Sequence, residues 1–536
     1  MRQRTAVLTL VLISVVVGVG NILVNRASAQ QPTTPARIER DFQEAYKLAK
    51  NYYAGEVDTT RLTESAIQGM LLALDPHSSY LDAKEFAEMR REQESRFYGI
   101  GVNINRRNGR VHILSVLPNT PAEEAGLRYG DAILAVDDIP VVDWGTSQVA
   151  RKVRGERHTM VKLTIERVGE PAPLTFHIRR QPVPLPSVQN AFMIRPGVGY
   201  IGLTRGFQAT TIDELNEAIS KLKADGMESL ILDLRGNPGG LLNQAVQVAS
   251  RFLQPGEVIV EVKGRRSSRP PYRALSSNPD DFPLVVLINQ ASASASEIVA
   301  GALQDHDRAL IVGEPSFGKG LVQTVYPIMR GEGGAVTLST ARYYTPAGRL
   351  IQRDYSKLSV YDYYVSRGPN QTQKKTGPAS TTDGGRPVYS GGGIDPDVLV
   401  PTPNDPVRAK VFAATFEFVR HLVAGQIQGY ASWRVTRAQT PRPDTIPEVE
   451  INDGVWHAFR QFVDKRREFQ LSAAELETHK QYALQRIREE VVTARFGAEA
   501  GNRVALTHDE QLEHAVRSVP QAKELVKNLR QAKSKS

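Results

Sequence analysis

Three serines alternate with alanines in Ala291-Ser-Ala-Ser-Ala-Ser296, and Glu297 follows directly. An apolar run, Leu284-Val-Val-Leu-Ile288, precedes the tract, and Ile298-Val-Ala-Gly-Ala-Leu303 follows it at helical spacing. A short run of β-branched and leucine residues reads as a buried strand, so the serines sit on a strand-to-helix turn. Free N–H groups and the positive dipole end at a helix N-terminus favour developing negative charge. Downstream, Phe317-Gly-Lys-Gly320 places a lysine between two glycines, and Gln323 lies four residues past Lys319. These side chains can make a nucleophile and its base. A serine hydroxyl attacks poorly until its proton is removed. A lysine can remove it only when neutral, and burial disfavours the ammonium. Ser-Lys pairs are a known variant of the serine-protease arrangement. Spacing alone leaves Ser292, Ser294 and Ser296 open. It also leaves structural roles open: Ser294-Ala-Ser-Glu297 fits a capping box, and Gly-Lys-Gly fits a surface turn.

The elements that must position these residues alternate. Gly199–Thr204 and Ser229–Leu234 read as strands, Thr211–Ala224 and Leu241–Leu253 as helices. Such alternation points to α/β layering. Arg235-Gly-Asn-Pro-Gly-Gly240 joins one strand to the next helix. It lacks the Gly-Lys-Ser/Thr ending of a phosphate-binding loop. His306 falls at the far end of the helix that follows the serines, so it is not expected to act as their base. His77, in Asp75-Pro-His-Ser-Ser-Tyr80, is far from the serines in sequence and is expected to be structural. No His, Asp or Glu group shows metal-ligand spacing; no metal and no cofactor are expected.

Composition bounds the rest. The chain has 536 residues, 41% hydrophobic and 23% charged, which is ordinary for a multidomain globular protein. Its net charge of +9 is dispersed without a long basic block, so no nucleic-acid partner is expected. Cysteine is absent, which excludes disulfides and thiolate metal sites. Met1-Arg-Gln-Arg4 precedes an apolar stretch, Ala6–Val24, and Ala27-Ser-Ala29 fits a cleavage site. This reads as a signal peptide or a membrane anchor. Helices are expected over Ile38–Asn51 and Leu62–Leu74. Arg367–Gly393 is expected to be a mobile loop. Further helices are expected over Val407–Leu422, Val455–Phe462, Ala473–Phe496 and Leu512–Leu529.

The motifs together resemble the carboxy-terminal processing peptidases, or tail-specific proteases. That family carries a G-S-A-S-A-S-E-I-type tract and, downstream, F-G-K-G-x-V-Q; here they read Ala291-Ser-Ala-Ser-Ala-Ser-Glu-Ile298 and Phe317-Gly-Lys-Gly-Leu-Val-Gln323. Ala291 stands where glycine is usual. The resemblance implies Ser294 as nucleophile, Lys319 as base and Gln323 as its orienting partner. The D-x-R-x-N-x-G-G match ending at Gly239-Gly240 implies oxyanion donors in that turn, Gly240 preferred over Gly239, beside the Ala295 amide. Tyr98-Gly-Ile-Gly-Val102, Pro118-Asn-Thr-Pro-Ala-Glu-Glu-Ala-Gly126 and Gly130-Asp-Ala-Ile-Leu-Ala-Val136 follow one another as in a PDZ domain. In such a domain the amides of Gly99, Ile100, Gly101 and Val102 would meet a terminal carboxylate, and an extended peptide would add to the sheet edge.

The fold class expected is therefore α/β multidomain. It comprises a crotonase/ClpP-like protease core with an inserted PDZ domain, an N-terminal helical segment and a C-terminal helical domain. The expected boundaries are 1–29 (signal or anchor), 30–96, 97–182 (PDZ), 183–402 (protease core) and 403–536. The expected function is an exported endopeptidase of the cell envelope acting on proteins or peptides with apolar C-termini. The N-terminus would anchor it if not cleaved, and the C-terminal helices would serve homo-oligomer or adaptor contacts.

Overall fold

In the computed structural model, residues 34–94, 96–328, 333–365, 377–438 and 449–533 are described. The expected signal or anchor over 1–29 lies outside them. The chain divides into two units, 1–71 and 72–536. The first carries the helices Pro35–Tyr52 and Thr59–Leu72, linked by the Tyr46 and Thr63 hydroxyls at 3.0 Å. Among the described residues, no helix is long and apolar enough to cross a membrane.

The second unit is built on a six-stranded sheet ordered Val188–Arg195, Val198–Leu203, Ser229–Asp233, Leu284–Ile288, Leu310–Gly313, Val398–Leu399. The first pair is antiparallel and the others parallel. The central strands are apolar and buried along their length, as strands covered on both faces must be. On one face Leu230, Leu232, Leu284, Val286 and Ile288 pack with residues of the helices Thr211–Ala224, Leu242–Ser250 and Ala295–Asp305. On the other, Ile231, Val285, Leu287 and Val312 pack with Leu512, Ala515 and Ala522. Those three residues belong to Glu510–Arg517 and Val519–Lys533, so the end of the chain completes the core.

A second sheet pairs Leu321–Pro327, Ser79–Leu81 and Val258–Gly264 with the long strand Ala335–Tyr344. Its strand Leu321–Pro327 begins just after Lys319 and carries Gln323. The PDZ region is an antiparallel sheet of Val102–Arg107, Arg110–Val116, Ala132–Val136, Met160–Glu166 and Leu174–Arg179, with the helices Pro121–Glu124 and Thr146–Val153. It has its own apolar core. The C-terminal helices hold its outer side: Arg107 and Tyr129 both donate to Glu490, at 2.9 and 2.8 Å, and Arg420 donates to the Gly130 carbonyl at 2.8 Å.

Three expectations need correction. Ala473–Phe496 is two helices, Ala473–Thr478 and Lys480–Phe496; His479 sits between them and bonds through its ring to Asp405 at 2.7 Å. Leu512–Leu529 is likewise two helices, parted at Ser518. The stretch read as mobile loop contains, in its described part, a hairpin of Ala379–Thr381 and Pro387–Tyr389.

Candidate active site

The strand Leu284–Ile288 runs into a tight turn, and the helix Ala295–Asp305 begins directly after Ser294. Ser294 has φ 55° and ψ −112°, a left-handed value that a side chain makes costly. The surroundings impose it. Ser292 donates to the Leu234 carbonyl at 2.8 Å, and Ser296 to the Asn237 carbonyl at 2.9 Å. The Ala293 amide also donates to Asn237 O, at 3.0 Å. Two of the three serines are therefore tied to backbone, which separates them from Ser294. The Glu297 amide donates to the Ser294 carbonyl at 2.9 Å, leaving the Ser294 hydroxyl outside the cap. Only the reverse half of a capping box forms, with the Ser294 amide donating to Glu297 Oε2 at 2.8 Å.

The glycine turn lies against this serine. A Cβ on Gly239 would stand 2.7 Å from Ser294 Cβ and 2.9 Å from the Ala295 nitrogen, and one on Gly240 would stand 2.2 Å from the Phe207 carbonyl oxygen. Both glycines are also at positive φ, 100° and 145°. Close packing and backbone conformation together demand glycine here. The Gly239 amide donates to Asn237 Oδ1 at 2.9 Å, so it is not available to an oxyanion and that expectation is corrected. The amides of Gly240 and Ala295 meet no acceptor among the described residues.

Lys319 comes to the same place from the second sheet. Its amine donates to Gln323 Oε1 at 2.5 Å, and Gln323 Nε2 donates to the His77 carbonyl at 2.7 Å. Burial pushes the Lys319 amine below its ordinary lysine value, while the negative charges of Glu297 and Asp75 oppose the shift. The flanking glycines are needed sterically: a Cβ on Gly318 would stand 2.9 Å from Arg353 Cβ, and one on Gly320 would stand 2.7 Å from the Gln352 nitrogen. The hydroxyl next to Ser294 is that of Tyr343, whose amide donates to the Gly320 carbonyl at 2.8 Å.

Residues 197–357 match peptidase family S41, residues 112–167 a PDZ domain, and residues 21–85 the activating protease CtpB N-terminal domain. A carboxy-terminal-processing protease of Bartonella bacilliformis is 41% identical over 317 residues, covering 58% of this chain and 72% of that protein. The carboxy-terminal processing protease CtpB of Bacillus subtilis is 32% identical over 360 residues, covering 65% and 74%. The chain belongs to the carboxy-terminal processing proteases of family S41. Among solved structures, a photosystem II D1 C-terminal processing protease is 29% identical, with a TM-score of 0.37, covering 68% of this chain and 94% of that one. This family member is thus a serine peptidase with a PDZ domain.

His77, expected to be structural, stands beside the site of this S41 peptidase despite its distance in sequence. Its carbonyl supports Gln323, and its ring lies between Tyr363 and Tyr364, each hydroxyl 2.9 Å from a ring nitrogen. Burial, with the Lys319 charge adding to it, holds His77 at about 4, so the ring is neutral near pH 7. His306 behaves as expected: its ring bonds to Asp383 at 2.8 Å and to the Val258 carbonyl at 2.7 Å, at the far end of the helix. Glu297 was legible only as a cap. A charged residue in the first turn of a helix buried along its whole length, directly before the apolar run Ile298–Leu303, is the signal that marks it for more.

In the PDZ loop, the carbonyls of Ile100 and Gly101 accept from Ala122 and Leu117, at 2.8 and 2.9 Å. The amides of Ile100 and Gly101 meet no acceptor among the described residues. Gly99 and Val102 lie in ladders, opposite Gln181 and Val116.

Proposed function

We propose that this peptidase cleaves by a Ser294–Lys319 dyad through an acyl-enzyme, on proteins whose apolar C-termini its PDZ domain holds. Neutral Lys319 takes the Ser294 Oγ proton as the oxygen attacks the scissile carbonyl. The Ala295 and Gly240 amides receive the oxyanion, such a donor being worth about 3–4 kcal/mol to the transition state. The ammonium then returns its proton to the leaving amine, and water releases the acyl group from Ser294. Gln323 keeps the amine's lone position fixed between turnovers. The amides of Ile100 and Gly101 take the terminal carboxylate of the substrate, and the edge of Val102–Arg107 takes its extended tail. We also propose export, supported by residues 1–29, and the domain limits given above.

The observation that carries this reading is a serine at left-handed φ flanked by two amides without acceptors. The test compares wild type with S294A and K319A on an unfolded protein bearing an apolar tail. Each variant, shown folded by circular dichroism, should lose at least about 1,000-fold in kcat. Wild-type cleavage by either folded variant overturns the dyad. Because only the neutral amine accepts a proton, activity should rise with pH through the depressed Lys319 value and fall away below it.

A further inference from the structure

Glu297 lies inside the helix Ala295–Asp305, whose residues are all buried, and is itself fully buried. A carboxylate taken out of water must find donors or a counter-charge. Among the described residues no Lys or Arg forms an ion pair with it. Its donors are instead hydroxyl and backbone groups. Oε1 accepts from Ser316 Oγ at 2.5 Å and from the Gly318 amide at 2.6 Å. Oε2 accepts from the Ser294 amide and from the Lys319 amide, both at 2.8 Å. One donor thus belongs to the serine turn and three to the segment that carries the lysine. A backbone bond also joins these segments, from the Phe317 amide to the Ser292 carbonyl at 2.8 Å. Ser316 Oγ also accepts from the Ile394 amide at 2.7 Å, which ties the Gly-Gly-Ile stretch into the same knot.

We propose that Glu297 is a positioning residue of this peptidase, whose one carboxylate sets where the Ser294 turn and the Lys319 segment stand relative to each other. This rests on the dyad reading above. Each oxygen serves two donors, so a neutral amide at the same place cannot replace it: its nitrogen would face N–H groups that need an acceptor. A carboxylate with four donors is also anchored in orientation, and with it the two backbones that the donors belong to. The charge has a second effect. Near Lys319 stand Glu297, whose carboxyl burial pushes up while its four hydrogen bonds hold it down and favour the ionised form, Asp75, and Arg353 by Gly318; the two carboxylates favour the ammonium. His77 beside it is neutral, as are the Tyr363 and Tyr364 hydroxyls that hold that ring. Removing the Glu297 charge therefore lowers the lysine value further, and the acid limb of the pH profile moves to lower pH.

The experiment measures kcat and KM against pH for E297Q, E297D and S316A on the tailed protein, with S294A alongside. E297Q should lower the plateau of kcat by at least about tenfold with KM little changed, and move the acid limb down by about one pH unit. S316A removes one donor but keeps the charge; it should cost about two- to fivefold and leave the limb in place. A plateau within twofold of wild type for E297Q, or a lowered plateau with an unmoved limb, overturns the proposal. If E297Q does not fold, E297D decides. It keeps the charge on a shorter arm, so a wild-type plateau, or a limb moved by a full unit, overturns the proposal. A lowered plateau with the limb in place supports it. Activity surviving in S294A sinks the dyad itself and is distinguishable from every Glu297 outcome.

Discussion

The two halves of the site are held by different kinds of contact. The serine half is a close-packed turn of short bonds: backbone ones from Ala293 to Asn237, Phe207 to Gly239 and Leu241 to Phe207, all between 2.8 and 3.0 Å, joined by those of the Ser292 and Ser296 hydroxyls and the Glu297 carboxylate. It sits directly on the buried parallel sheet, with no space for a Cβ at Gly239 or Gly240. The lysine half ends in a side-chain chain, from the Lys319 amine to Gln323 and on to the His77 carbonyl. A close-packed backbone turn has one arrangement, because neighbouring atoms forbid small adjustments. A four-carbon amine held by one amide can change rotamer at a cost near that of one hydrogen bond. In the proposed dyad, attack geometry would therefore belong to the serine half, and proton transfer would depend on the half that can move.

The largest effect is expected where the rigid half is invaded. Gly240→Ala places a methyl group 2.2 Å from the Phe207 carbonyl oxygen at a φ of 145°. It should cut kcat by at least about 100-fold by displacing the proposed oxyanion donor, with a lowered Tm in the same sample. Near wild-type kcat and Tm would mean that this turn yields, and the contrast between the halves would fail. On the lysine half a smaller and differently shaped effect is expected. Gln323→Ala frees the amine and should lower kcat about ten- to 100-fold without lowering Tm to the same degree. Gln323→Glu puts a negative charge beside the amine, favours the ammonium, and should move the acid limb up in pH by about one unit. That direction is opposite to the one expected for E297Q.

The same contrast decides what could be read from the residues alone. The serine half is written in one contiguous stretch: an apolar run, small residues, then a helical pattern. Its fold and its place in an α/β core follow from that order. The glycine pair was legible as a turn, yet which amide is free depends on the Asn237 side chain folding back onto Gly239. No spacing rule contains that. The lysine half draws on His77, 246 residues from Gln323, and on Tyr363 and Tyr364. Only the assembled second sheet brings them together. At the end of the chain, periodicity marks Leu512 and Ala515 as one apolar face but cannot say that the core sheet covers it. The break at His479 goes with its ring bonding to the Glu475 carbonyl and to Asp405, 74 residues away, which a helical wheel does not contain.

Tyr343 gives the smallest and most discriminating test, because it touches both halves. Its amide is fixed to the residue after Lys319, and its hydroxyl adjoins Ser294. Burial pushes that hydroxyl up to about 12, the Ser294 neighbour opposing. It is therefore neutral across the working pH range and cannot act as a phenolate base towards the serine proton. What remains to it is a neutral hydroxyl beside Ser294, able to share a hydrogen bond worth about 1 kcal/mol. Tyr343→Phe keeps the ring in its packed place and removes only that bond, so kcat should change by no more than about tenfold, with the acid limb unmoved. A loss beyond about 100-fold would mean that the serine half is incomplete without a side chain from the second sheet, and that the turn's own bonds do not set its geometry.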